Sequence, residues 1–404
     1  MAMTPRQRVL AALEHREPDG LTIDFAGTDC SSLHAAAYHR LRRKLGVEPR
    51  PMRLGCLTQQ VVEPDAAVQD RFFGDVAGLY FGPRKWRLWD GGYGGPVEVP
   101  DLWRPETLAD GSAVVRGADG TVLSRRTAGG HYFDPVHFPL ADVTSASELA
   151  ACAAVFERWD WPRVCDESVE EYAARAKALY QSTDRAVVAS WRMHYLQAGQ
   201  LLRGYEQFMV DLLTDEALAR AILDRLHAVY LERARRFLEA MADWTDIVFF
   251  TDDLGTQQGP LVSPELYRRA IKPYWAELIG LVRKRGKKVL MHACGAVADF
   301  IPDLIDIGVD ALNPVQITAA GMAPERLKRD FGRDIAFWGG GVSTQGVLDA
   351  AGPEAIRDEV RRNVEILAPG GGFVFTQVHN IQADVPPENI VAAFDAAREF
   401  GGRS

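Results

Sequence analysis

The chain has 404 residues, 47% apolar and 25% charged, so it can bury a large core and exceeds what one ordinary domain requires. A formal charge of −9 argues against a nucleic-acid partner, because the phosphate backbone selects basic faces; basic clusters at 40–44 and 283–288 read as solvated helix faces. No apolar run approaches the roughly 20 residues that span a bilayer, and positions 1–13 lack the apolar core of a signal peptide, so a cytoplasmic location without membrane partners is expected.

In chain order, 1–13 predicts a surface helix, and 21–25 (LTIDF) a first buried strand, with 53–57 (RLGCL) as another candidate. The character changes between about 81 and 140. Glycines and tryptophans crowd 86–103, and the runs 112–116 and 121–125 then flank Gly117-Ala118-Asp119-Gly120, a β-hairpin pattern. A strand at 186–191 (AVVASW) precedes one or two long amphipathic helices over 207–240. From there, short apolar runs alternate with helices: 246–251 (DIVFFT), 288–292 (KVLMH), 310–314 (DALNP), 335–338 (IAFW) and 372–377 (GFVFTQ). Runs apolar on both faces and separated by helices indicate a parallel sheet covered on both sides. Ser263 caps a helix with Pro264 in its first turn, Pro273 should kink or divide it, and Gly286 ends it. A further helix over 353–367 places Ile356, Val360, Val364 and Leu367 at helical spacing. With a strand count near eight, the pattern predicts an α/β fold, a (β/α)8 TIM barrel forming one domain over 1–404, with an inserted β-rich excursion at about 81–140.

The five cysteines, Cys30, Cys56, Cys152, Cys165 and Cys294, are irregularly spaced and odd in number, which predicts reduced thiols. Cys294 alone has a neighbourhood that suggests chemistry. On a strand, residues i and i+2 share a face, so His292 and Cys294 would point into one space at the C-terminal end of a barrel strand, where barrel enzymes place their sites. Imidazole nitrogen and thiolate sulfur are zinc ligands, and Gly295 would turn the chain into a helix from Ala296 whose N-terminus favours the thiolate. The competing reading is a core cysteine beside a satisfied histidine. Asp252 and Asp253 follow the strand 246–251, and alternation admits one of them to the site as metal ligand, acid–base group or substrate anchor; a turn or cap role competes. His379, just past the last strand, would reach the same mouth, or be an ordinary surface histidine. Gly339, Gly340 and Gly341 follow another strand and would let backbone amides approach an anion, or simply form a tight turn. Trp191, followed by Arg192 and His194, and Trp338 would either wall a pocket or pack the barrel. The chain lacks GxGxxG, Walker, GxSxG and HExxH motifs.

Several segments together resemble the uroporphyrinogen decarboxylase superfamily, and specifically its cobalamin-dependent methyltransferase branch. They are Thr4-Pro5-Arg6-Gln7-Arg8, the Asp252-Asp253 strand end, Ser263-Pro264-Glu265-Leu266-Tyr267, His292-Ala293-Cys294-Gly295, 338–343 and Pro386-Pro387-Glu388-Asn389. The resemblance implies a zinc-dependent methyltransferase that moves a methyl group between a small methoxy- or methylamine-type substrate or a thiol and a corrinoid (cobalamin), carried on a separate protein for which the excursion would be a docking element. It further implies zinc on His292, Cys294 and an acidic residue, Asp252 or Asp253. Where that branch has a later cysteine, this chain has His379. The catalytic expectation therefore falls on Asp252, Asp253 and His292, the metal ligands on His292, Cys294, His379 and Asp252, and cofactor contacts on Trp191, Gly339 and Gly340. Tetrapyrrole decarboxylation is the alternative, although the decarboxylase arrangement of arginines is not recognisable around Arg6 and Arg8. A catalytically silent barrel that binds a tetrapyrrole or a partner protein is a third reading. Barrels of this kind often pair through exposed faces, so a homodimer is among the expectations.

Overall fold

The computed structural model describes residues 2–48, 50–157 and 165–403; Met1, with which the predicted N-terminal helix begins, lies outside them. Eight parallel strands form the barrel: β1 (Thr22–Ile23), β2 (Val76–Tyr80), β3 (Ala186–Ser190), β4 (Ile247–Thr251), β5 (Lys288–His292), β6 (Ala311–Asn313), β7 (Ala336–Trp338) and β8 (Phe373–Phe375). Each from β2 to β8 pairs with its successor, β8 pairs with β1, and the remaining seam is drawn together where the Asp75 amide donates to the Ile23 carbonyl at 2.7 Å. The architecture is the nearly closed (β/α)8 barrel that the alternating apolar runs predict.

One strand was read in the wrong place. The run at 53–57 is not a barrel strand: Met52–Cys56 pairs with Val61–Glu63 and Val97–Pro100 in a separate four-stranded sheet. The missing strand is β2, whose sequence VAGLY is broken by Gly78. A Cβ on Gly78 would stand 2.4 Å from the Gly27 carbonyl oxygen, so close backbone approach, invisible in sequence, selects the glycine. The excursion builds a second four-stranded sheet, in which Ala113–Arg116 and Val122–Arg126 form the predicted hairpin. Pro264–Ala270 and Lys272–Lys284 are the two halves of the proline-divided helix, and the Ser263 hydroxyl accepts from the Leu266 amide at its start.

Alternation along the strands sorts their side chains. Ala186 and Val188, Ile247 and Phe249, Leu290, Ala311, Ala336, Trp338 and Val374 fill the barrel interior. The N-terminal helix Pro5–Leu13 closes the bottom by adding Val9, Ala12 and Leu13 to that cluster. Its arginines are committed there. Arg8 pairs with Asp19 and with buried Asp75, each at 2.8 Å, and Arg6 pairs with Asp246 at 3.1 Å. Because Asp75 and Asp246 immediately precede strands, these arginines lie on the face opposite the strand C-termini.

Candidate metal centre and substrate cavity

The same alternation carries inward-facing positions beyond the packed interior to the open end. Ser190, Thr251 and His292 end β3, β4 and β5 two residues after Val188, Phe249 and Leu290, and all three line one cavity of about 320 Å³. Asp253 continues the inward series of β4 and also lines it. Asp252 is directed the other way. Its buried carboxylate accepts from the amides of Tyr195 (3.1 Å), Leu196 (3.0 Å) and Gln197 (2.9 Å) and from the Trp275 indole (3.1 Å). It therefore caps the helix Leu196–Arg203, whose first residues have no cap of their own. Burial pushes its acid up to about 6 against those four donors. Of the predicted acidic pair, Asp253 is the one that reaches the metal-ligating groups.

The cluster gathers around His292. The Cys294 thiol lies 3.1 Å from His292 Nε2, and an Asp253 carboxylate oxygen lies 3.5 Å from the same nitrogen. Asp253 also accepts from the Cys294 amide at 3.1 Å. The His379 ring centroid stands 5.5 Å from that of His292. Ligand atoms of Asp253, His292 and Cys294 lie within 4.8 Å of one another, as do those of Cys30, His292 and His379. Cys30 is the candidate ligand that sequence reading missed. A signal was present, since it follows the first strand as His379 follows the last. No helix starts at Ala296: a 3-10 turn begins at Ala298, and Gly295 is held at φ +88° where a Cβ would stand 2.5 Å from the Gly255 carbonyl carbon. The predicted helix dipole at the thiol is therefore replaced by imidazoles. Burial pushes the Cys294 thiol up, but His292 and His379 outweigh it and bring it down to about 7. Cys30, enclosed more deeply, is pushed up to about 12 by burial, with His292 opposing.

Hydrogen bonds behind the cluster assign the imidazole tautomers. Asn313 donates its amide to the Trp338 carbonyl at 2.9 Å, which turns its oxygen toward His292 Nδ1 at 2.7 Å. His292 therefore donates from Nδ1 and turns Nε2 toward the thiol and carboxylate. Asn380 repeats the device. It donates to Gln59 at 3.1 Å, accepts from Gln382 at 2.9 Å, and its oxygen takes His379 Nδ1 at 2.5 Å, while the ring also interacts with the Cys294 thiol. In the metal-free chain a proton between these groups does part of a cation's work. Burial alone would raise the Asp253 acid, yet His292 holds it well below the carboxylate range; burial would lower His292, yet Cys30 and Cys294 keep it raised. Two thiols, two oriented imidazoles and a carboxylate suit a borderline-soft divalent cation such as zinc.

Trp191 lines the cavity and packs edge-on against Phe237 and Phe250, at 5.4 and 5.8 Å. Trp338 is barrel packing, with its indole N–H on buried Asp24 at 2.8 Å. Gly339 and Gly340 do not line this cavity. They turn the chain at φ +119° and +78° against the β6 loop, where a Cβ on Gly340 would stand 2.9 Å from that of Val315, and the Gly339 amide is spent on the Val374 carbonyl. Theirs is the tight-turn role. The excursion supplies Trp103, Ser124 and Phe133 to the cavity wall, which loop-like composition did not reveal.

A parallel barrel with thiol, imidazole and carboxylate donors at its C-terminal mouth defines the general class. A family model of uroporphyrinogen decarboxylase matches residues 187–400, more than half of the chain, and the chain belongs to that family. Curated relatives include uroporphyrinogen decarboxylases of Teredinibacter turnerae, 28% identical over 52% of this chain and 56% of the relative, and of Methylococcus capsulatus, 36% identical over 24% and 26%. The chain thus spans about half the length, or less, of the curated relatives it matches. Among solved structures, a methyltransferase from Methanosarcina mazei shares the fold along 98% of this chain and 99% of its own, with a TM-score of 0.62 and 17% identity.

Proposed function

We propose that this chain is a cytoplasmic, zinc-dependent methyltransferase exchanging a methyl group between a small methylated substrate or thiol and a corrinoid carried by a separate protein. The observation that carries the proposal is a pair of donor groups sharing His292 at the barrel mouth, Cys30 with His379 and Asp253 with Cys294, with both imidazoles tied at Nδ1. Cys294, His292 and His379 would hold the zinc, with Cys30 completing the set from the first strand's loop in the role of the cysteine absent near 379, and Asp253 beside them. Bound there, zinc would supply Lewis-acid polarisation of the substrate's oxygen, nitrogen or sulfur. The protein's own contribution is to hold both imidazoles by hydrogen bonds at Nδ1, to hold Cys294 near its thiolate form at neutral pH, and to keep Asp253 ionised at the cavity edge, where its charge would balance the cation. No helix among the described residues is long and apolar enough to cross a membrane.

The names of the curated relatives favour a second reading, tetrapyrrole decarboxylation. Weighing against it, a cavity of about 320 Å³ is at the small end for ligand sites, and Arg192 and Arg233 are the arginines among its lining residues, few for a substrate with many carboxylates. Arg6 and Arg8 are occupied at the opposite face. Metal analysis decides first. About one zinc per chain is expected, lost in His292→Ala and Cys294→Ala; full metal content in both variants would sink the proposal. Corrinoid methylation, followed by its absorbance across methoxylated and methylamine donors, tests the reaction, and coproporphyrinogen formation tests the alternative.

A further inference from the structure

The wall of the cavity beyond the metal-ligating cluster has its own chemistry. Arg192 is held at φ +49°, a left-handed conformation that a long side chain adopts at a cost and that points to a function for the residue. Its guanidinium donates through Nη2 to the Gly55 carbonyl at 2.6 Å, and its Nε is buried without a partner. Among the described residues no carboxylate lies within ion-pair distance of it. The ionisable groups around it include Asp29, Glu63, Cys56, Cys165, Tyr80, Tyr172 and His194; burial pushes the Cys56 thiol and the Tyr80 phenol up and keeps both neutral. Three further buried polar atoms without partners belong to residues of the same lining: Ser124 Oγ, Trp191 Nε1 and His194 Nδ1. Buried charges and donors are ordinarily paired, so such a concentration in one cavity wall asks for an acceptor from outside the chain. Arg233 adds a second positive side chain to the lining, and it too has no ion-pair partner among the described residues. Phe81, Trp103, Phe133, Trp191 and Tyr205 make the remaining wall aromatic.

We infer that the cavity takes a ring-sized aromatic monocarboxylate, its carboxylate received by Arg192 and its ring by the aromatic wall. A guanidinium matches a carboxylate in a planar, two-pronged geometry that no neutral group reproduces. The volume fits: about 320 Å³ is roughly twice the ~150 Å³ that encloses a benzene ring. The inference rests on reading this cavity as the substrate site of the proposed methyltransferase, and it makes Arg192 the residue that selects among methylated donors.

The test is calorimetric titration of the purified protein with para-methoxybenzoate and with its neutral isostere, para-methoxybenzamide. In the wild type the acid should bind at least about tenfold more tightly than the amide, the size of a charge-assisted pair. Arg192→Gln should abolish that preference, with wild-type circular dichroism and urea midpoint showing that the variant is folded; Arg192→Lys should restore part of it. Equal binding of acid and amide to the wild type, binding of neither, or an undiminished preference in Arg192→Gln overturns the inference. An Arg192-dependent preference without methyl transfer to any corrinoid would instead overturn the proposed reaction and leave the carboxylate site standing.

Discussion

Asn313 offers the sharpest test of how the proposed metal centre is organised, because it touches His292 from behind and lies outside both candidate donor groups. Asn313→Ala removes the acceptor of the 2.7 Å bond to His292 Nδ1 and the donor of the 2.9 Å bond to the Trp338 carbonyl, both fully enclosed. The imidazole then loses the partner that sets its tautomer and orientation. Loss of such a bond behind a ligand costs about 10–100-fold in metal affinity, or about 1.4–2.7 kcal/mol. The two orphaned groups should also lower folding stability by about 2–4 kcal/mol. Asn313→Asp separates the effects, since it keeps an acceptor for Nδ1–H and loses the donor to Trp338. Zinc affinity by competition with a chromophoric chelator, and urea denaturation of the metal-free proteins, are the two measurements. Asn313→Asp should bind zinc at least as tightly as wild type while melting earlier, and Asn313→Ala should be weakened in both. If Asn313→Ala binds zinc as tightly as wild type while His292→Ala does not, the tautomer argument is refuted.

Three more outcomes follow from the geometry. Asp252→Ala orphans three amides at the start of the helix Leu196–Arg203 and the Trp275 indole, and should cost about 2–4 kcal/mol by urea denaturation while zinc per folded chain stays unchanged; loss of zinc from the folded variant would contradict its capping role. In metal-stripped protein, iodoacetamide should alkylate Cys294 at a rate rising through about pH 7 as the thiolate forms, and His292→Ala should move that midpoint upward; an unmoved midpoint argues against imidazole control. Burial raises the Asp24 acid from 3.8 to about 6, so the folded chain retains a proton there that the unfolded chain has released. This group's contribution to stability therefore falls by about 3 kcal/mol as pH rises from about 4 to about 6, then levels off. Urea midpoints should show a shallower decline over that window in Asp24→Asn than in wild type; identical slopes would refute the assignment.

The barrel was legible because its evidence is local. Runs such as IVFFT and KVLMH are apolar on both faces whatever surrounds them, and Ser263-Pro264 starts a helix by rules confined to a few residues. The same period-two logic placed His292 and Cys294 on one side of one strand and admitted one of the Asp252-Asp253 pair. It could not say which, because that depends on where the amides of residues 195–197, more than 50 positions upstream, come to rest. Val76–Tyr80 escaped notice for a related reason: its glycine answers a contact with Gly27 across the barrel seam.

Chain order and side-chain periodicity determined seven of the eight barrel strands, the main helices between them and the end of the sheet at which polar residues gather. Which distant residues share that end, Cys30 with His379, Asn313 behind His292, Arg192 and Trp103 of the excursion around one cavity, was decided by barrel closure. Closure brings the first strand beside the last, and it sets hydrogen-bond partners through space, where sequence separation carries no information.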